Sequence, residues 1–158
     1  PDLKPIWEEL SELIKQLADY EEIKKQIIEY KEKTGLLFSL ESLKNFANNG
    51  RVSKVTAKLV GALGIRLVGK ASDKGTLEPL SKVRGEAKAL GEILDLLIKN
   101  GFKGGKVRID HCENKSAADK LENMIKEKFP SADIRTGITY GLCSFYAEKG
   151  GMLVGYEK

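Results

Sequence analysis

The sequence holds one histidine and two cysteines, so nucleophilic or metal chemistry has few residues to draw on. His111 ends the apolar run KVRIDHC, where an imidazole could act as a general base. We read it instead as a structural histidine bonded to a neighbouring loop, with the base as the alternative. Cys112 and Cys143 lack the close spacing of a zinc knuckle and read as free thiols. No set of residues has metal-ligand spacing, so no metal is expected. The glycines Gly137, Gly141, Gly150, Gly151 and Gly155 form neither a GxGxxG between strand and helix nor the GKS/T of a P-loop. Gly150-Gly151 before an apolar segment marks a tight turn, and backbone of that kind could approach a ligand closely. Five arginines stand among 27 basic residues, which makes each one informative. Arg51 lies on a turn just before the helix N-cap Ser53, and Arg84 lies where a strand meets a helix. A guanidinium at such a junction suits a carboxylate or phosphate, and a surface or capping role remains open for both.

The elements that must carry these residues are legible from periodicity and punctuation. Trp7, Leu10, Leu13, Ile14 and Leu17 recur at helical spacing behind Pro5, and Ile23, Ile27, Ile28 and Tyr30 repeat the pattern. Leu36 to Leu40 suits a buried strand, residues 41–48 one or two helical turns, and SKVTAKLVGALG a helix ended by Gly64. IRLVGKAS and TLEPLSKVR form a hairpin across Asp73-Lys74-Gly75. A helix from about Gly85 to Lys99 follows, then the strand KVRIDHC and the helix SAADKLENMIKEKF, which Pro130 terminates. A strand near ADIRTGITY, a turn-rich stretch around Cys143–Gly151 and a last strand, MLVGYE, complete the chain. The pattern predicts an α/β fold, a mixed β-sheet packed with helices as a two-layer sandwich, preceded by two linking helices. Those opening helices look detached from the sheet unit. The chain starts at Pro1 without a methionine, which permits truncation without proving it.

Composition narrows the function classes. Of 158 residues, 41% are hydrophobic and 32% charged, an ordinary globular balance. No apolar run approaches the roughly 18 residues of a membrane span, and no signal peptide is evident. Secreted disulfide scaffolds, membrane proteins and zinc modules are excluded, which points to the cytoplasm. The net charge of +4 is spread over lysines beside glutamates, with no basic stripe and no interleaved aromatics, so nucleic acid is not an expected partner.

At the arginine motifs the chain resembles the DegV family of bacterial fatty-acid-binding proteins. SLESLKNFANNGRVSK is similar to the family's "dLeyLkkgGRis". ALGIRLVGKASDKGTLEPLSKVRGEAKAL is similar to "lLnIkPil…dGkl.p..kvRg.kkAl", and VRIDHCENKSAADKLENMIKEKFP to "v.i.Ha.n.e.A..l...i...f". The match runs from about residue 20 to the end.

The resemblance implies an intracellular two-domain protein that holds one long-chain fatty acid in a tunnel between its domains. It also implies a partner, a separate ATP-binding fatty acid kinase subunit that phosphorylates the bound carboxylate. The chain is then a binding subunit and not a catalyst, with no cofactor beyond the bound fatty acid. Because the family is close to twice this length, residues 35–158 would be the C-terminal lipid-binding domain and residues 1–34 a helical linker from the interdomain region. Its own N-terminal domain would be a further partner, and contact with a membrane no more than transient. The family's "H.GPGalg" motif corresponds here to FYAEKGGMLVGY, which puts Tyr146 where the histidine would be and retains Gly150-Gly151. A tyrosine hydroxyl donates to a carboxylate without the imidazolium's charge. The resemblance places Tyr146, Arg84, Arg51, Gly150 and Gly151 on the head-group side. Phe38, Leu67, Phe145 and Met152 are candidates for the acyl-chain wall, with Leu36 and Val154 beside them, and core packing is the simpler role for each. Two alternatives carry other functions: a His111-dependent acyl hydrolase or transferase, and a protein-interaction domain that has lost lipid binding.

Overall fold

The computed structural model describes residues 3–16, 19–52, 60, 64–72 and 76–158. Two helices open the chain, α1 (Leu3–Lys15) and α2 (Tyr20–Glu32), followed by β1 (Thr34–Leu40) and the short α3 (Lys44–Asn48). The antiparallel pair β2 (Ile65–Ala71) and β3 (Leu77–Arg84) leads into α4 (Glu86–Lys99). Then come β4 (Lys106–His111), α5 (Lys115–Lys128), β5 (Asp133–Ile138), α6 (Gly141–Ala147) and β6 (Met152–Glu157). The six strands form one sheet in the order β3-β2-β1-β6-β4-β5, with only the β4–β5 pair parallel. The mixed α/β sheet expected from the sequence is therefore present. The proposed helix over residues 53–64 and the turn at residues 73–75 fall largely or wholly outside the described residues.

Strand alternation sorts the side chains between two faces. Leu37, Val68, Val107, Ile109, Met152 and Val154 point to one face, where Ile93 and Leu97 of α4 and Leu121 and Ile125 of α5 close over them. Ile93 and Leu97 are spaced four apart on α4, so one helical stripe faces the sheet. Phe38, Leu40 and Leu67 point the other way and pack with Leu43, Val60 and Ala147. Completely burying a side chain such as Phe38 stabilises by about 1.5–3 kcal/mol.

Two expectations are corrected. The first helix is not detached. Arg108 and Asp110 face away from the main core, and α1 lies against them with its Glu8 and Lys4. Lys4 and Glu8 are one turn apart, as Arg108 and Asp110 are two residues apart on a strand, so both periodicities match at one contact. Part of the stretch around Cys143–Gly151, expected to be turn-rich, falls in α6. Leu142, Phe145 and Tyr146 have helical spacing, and the glycines at 141 and 150–151 bound the helix instead of breaking it.

Candidate functional site

The C-terminal ends of β1 and β3 and the start of β6 lie at one end of the sheet, and the head-group candidates sit on the segments that enter or leave the sheet there. Tyr146 on α6 is half-buried. Its ring stacks at 4.6 Å on Phe46 of α3 and meets Phe145 edge-on at 5.1 Å. The guanidinium carbon of Arg51 lies 5.7 Å from the centre of the Tyr146 ring, a cation–π distance. Arg51 is exposed, and its backbone N–H donates to the Phe46 carbonyl at 2.9 Å, fixing the turn that follows α3. The two helices are tied by Asn45, whose side-chain amide donates to the Phe145 carbonyl at 2.7 Å and whose N–H donates to Glu148 at 2.8 Å. The Arg51 guanidinium is thereby held over the face of the Tyr146 ring, on a helix pair at the surface.

Gly150 and Gly151 connect this patch to the sheet, and neither tolerates a side chain. Gly150 has φ +87°, and a Cβ there would come within 2.1 Å of a Glu41 carboxylate oxygen. A Cβ on Gly151 would lie 2.2 Å from the Ala147 carbonyl. The turn is stitched to the end of β4 by Gly150 N–H to the Cys112 carbonyl and Cys112 N–H to the Gly151 carbonyl, both 2.9 Å.

Arg84 ends the outer strand β3 at the same end of the sheet. It is exposed, and no described bond links it to Tyr146 or Arg51. The four acyl-wall candidates do not share one surface. Phe38 and Leu67 are buried together on the α6 side, Phe145 is 45% exposed, and Met152 is buried in the opposite core beneath α4 and α5. Leu36 lines a groove of about 700 Å³ at the far end of the sheet, together with Leu3, Ile6, Ala71 and Tyr156. Val154 belongs to the main core. His111 is buried, and its Nδ1 accepts the Asn114 N–H at 3.2 Å, the loop-holding role read from the sequence. Both cysteines are free, and no cluster able to hold a metal occurs among the described residues.

Two arginines escaped the sequence reading. Arg108, 1% exposed, is clamped by Glu8 and Asp133, and Arg66, 9% exposed, bonds Glu41 and the Gly150 carbonyl. Hydrogen bonds from Arg108 hold the Glu8 and Asp133 carboxyls below their usual range. Burial disfavours charge on Glu86, yet bonds from Lys120 and Asn114 outweigh it and hold that carboxyl low as well. The available signal was an arginine inside an otherwise apolar strand, IRLV and VRID, which must find an acceptor on the face it points to.

A family model described as "Uncharacterised protein, DegV family" matches residues 3–158, nearly the entire chain. The chain belongs to the DegV family. It is 50% identical over 149 residues to a DegV domain-containing protein of Streptococcus pyogenes serotype M1, an alignment that covers 94% of this chain and 53% of the relative. Its fold is similar to the Fatty Acid Kinase (Fak) B3 protein of Streptococcus pneumoniae, solved loaded with linoleic acid. The TM-score is 0.95 at 46% identity, covering 99% of this chain and 56% of that one. A DegV family protein of Eubacterium eligens, loaded with heptadecanoic acid, gives a TM-score of 0.95 at 44% identity and covers 100% of this chain and 57% of its own. The chain spans about half the length of the curated relatives it matches. No described helix is long and apolar enough to cross a membrane.

Proposed function

We propose that this chain is the C-terminal half of a long-chain fatty-acid-binding protein that presents the acyl carboxylate to a separate ATP-dependent kinase subunit. The observation that carries the proposal is the pairing of Tyr146 with Arg51 in a fold whose solved relatives hold linoleic and heptadecanoic acids. Tyr146 donates its hydroxyl to the carboxylate, and Arg51 supplies the positive charge that an imidazolium would otherwise bring. Gly150 and Gly151 keep the backbone beside them free of side chains. Arg84 contacts the phosphate product or the kinase from the neighbouring corner of the sheet.

The remaining half of the protein covers the exposed side chains Ile138, Tyr140, Leu142 and Phe145, which continue from Tyr146 along β5 and α6. The acyl chain runs between the halves against Phe38, Leu67 and Phe145, with Met152 bracing the sheet from behind. Each methylene removed from water contributes roughly 0.8 kcal/mol. Residues 1–34 link the two halves. The protein is a cytoplasmic binding subunit without a catalytic group or cofactor of its own, and it meets the membrane only transiently to exchange ligand.

Native mass spectrometry of the full-length protein and of this chain alone, followed by solvent extraction, tests the proposal. Fatty acid on the former and little on the latter is the expected result. A full-length protein that purifies empty and refuses added oleate overturns it and favours a protein-interaction role for the exposed face. Release of product from an acyl phosphate without a kinase, abolished in His111→Ala, would instead favour the hydrolase.

A further inference from the structure

Arg66 is placed where two loops that carry the head-group residues meet. Its guanidinium donates to the Gly150 carbonyl at 3.0 Å, to Glu41 at 2.8 Å and to Glu86 at 3.4 Å. These acceptors come from three different parts of the chain: the loop between β1 and α3, the first turn of α4, and the turn between α6 and β6. The Asn114 amide reinforces the arrangement, donating to the same Gly150 carbonyl at 3.2 Å and to Glu86 at 3.3 Å. The Glu41 loop leads into α3, which carries Phe46, and the turn after it carries Arg51. The Gly150 turn ends the segment that carries Tyr146.

On the basis of the head-group assignment above, we infer that Arg66 is a positioning residue that sets the Tyr146–Arg51 pair by holding both loops to the end of the sheet. A planar guanidinium presents its donors in a wide, fixed fork, which reaches a carbonyl and two carboxylates from separate segments at once. A lysine offers a single charged centre and would favour one carboxylate over the others. Because Glu41 packs against the Cα of Gly150, releasing its bond to Arg66 frees both loops together.

The test reads geometry and ligand separately. In this chain, the Arg51 side-chain NMR signals should be displaced by the ring current of Tyr146, whose centre lies 5.7 Å from the guanidinium carbon, and amide dispersion reports the fold. Arg66→Met should return the Arg51 signals to their solution positions, Arg66→Lys should restore the displacement only in part, and the core amides should stay dispersed. Glu41→Gln, at a half-exposed position that does not threaten folding, should move the same signals in the same direction. In the full-length protein, affinity for oleate should fall about tenfold in Arg66→Met. Unchanged Arg51 signals in Glu41→Gln and in a folded Arg66→Met would overturn the inference. Arg51 signals that return to their solution positions with unchanged oleate affinity would leave Arg66 as the positioning residue and remove the head-group role from the Tyr146–Arg51 pair.

Discussion

The two faces of the sheet are built on different chemistry. Beneath α4 and α5 the packing is apolar and mostly aliphatic, and a single continuous cluster joins all the central strands. The opposite face is a mosaic. It is apolar under Phe38 and Leu67, ionic where α1 crosses β4 and β5, and open around Tyr140, Leu142 and Phe145. Burial of aliphatic area supplies cooperative stability on the first face. Ion pairs on the second face hold a helix in register while returning little net free energy, because each charge must be desolvated to form them. A surface of that kind can take a ligand or a second domain without putting the core at risk.

The largest effect that would separate the faces comes from the aliphatic side. Ile93→Ala should cost about 3 kcal/mol of unfolding free energy by urea titration, through lost burial and a residual cavity. The Arg51 signals over the Tyr146 ring should barely move. Their loss in that variant would mean that the faces are coupled.

Glu8→Ala should cost less, about 2 kcal/mol, since Asp133 remains on the Arg108 guanidinium. Amide exchange should accelerate over residues 3–15 and not in α4. The same clasp carries a pH dependence. Glu8 and Asp133 have carboxyls depressed below their usual values of 4.5 and 3.8, so their stabilisation is complete above about pH 4.5. It fades as pH falls through the lowered native values, because the unfolded chain binds protons first. Acid should release α1 before the aliphatic face melts, which exchange measurements at stepped pH would detect.

The smallest effect on stability belongs to Tyr146→Phe, expected within about 0.5 kcal/mol of the parent because the hydroxyl lies at a partly exposed site. Oleate affinity of the full-length protein should nevertheless fall severalfold. An unchanged affinity would remove the phenol from the head-group site and leave Arg51 as the charge.

Most elements were legible because their signals are local. The buried run LLFSL, the alternation in KVRIDH, the stripe Leu90, Ile93 and Leu97, and the stop at Pro130 each depend on neighbours within a turn or two. The turn-rich reading around Cys143–Gly151 missed α6 because its bounding glycines outweighed a short helical stripe. The gathering of Tyr146 and Arg51 near one end of the sheet came from motif resemblance, and spacing alone left both arginines open. Arg66 and Arg108 were missed for a different reason. A strand arginine declares that it needs an acceptor, but Glu41 and Glu8 lie on other elements, and nothing local names them.

The sequence by itself determined most of the described elements and their order, the mixed sheet and the family. Tertiary structure alone decided which face each charge would meet. It set α1 across β4 through Lys4 and Glu8, sent Met152 to the face opposite Phe38, and closed the Gly150 turn on Arg66. Periodicity reports the direction in which a side chain points, whereas its partner is fixed by strand order and packing, which bring together segments far apart in the chain.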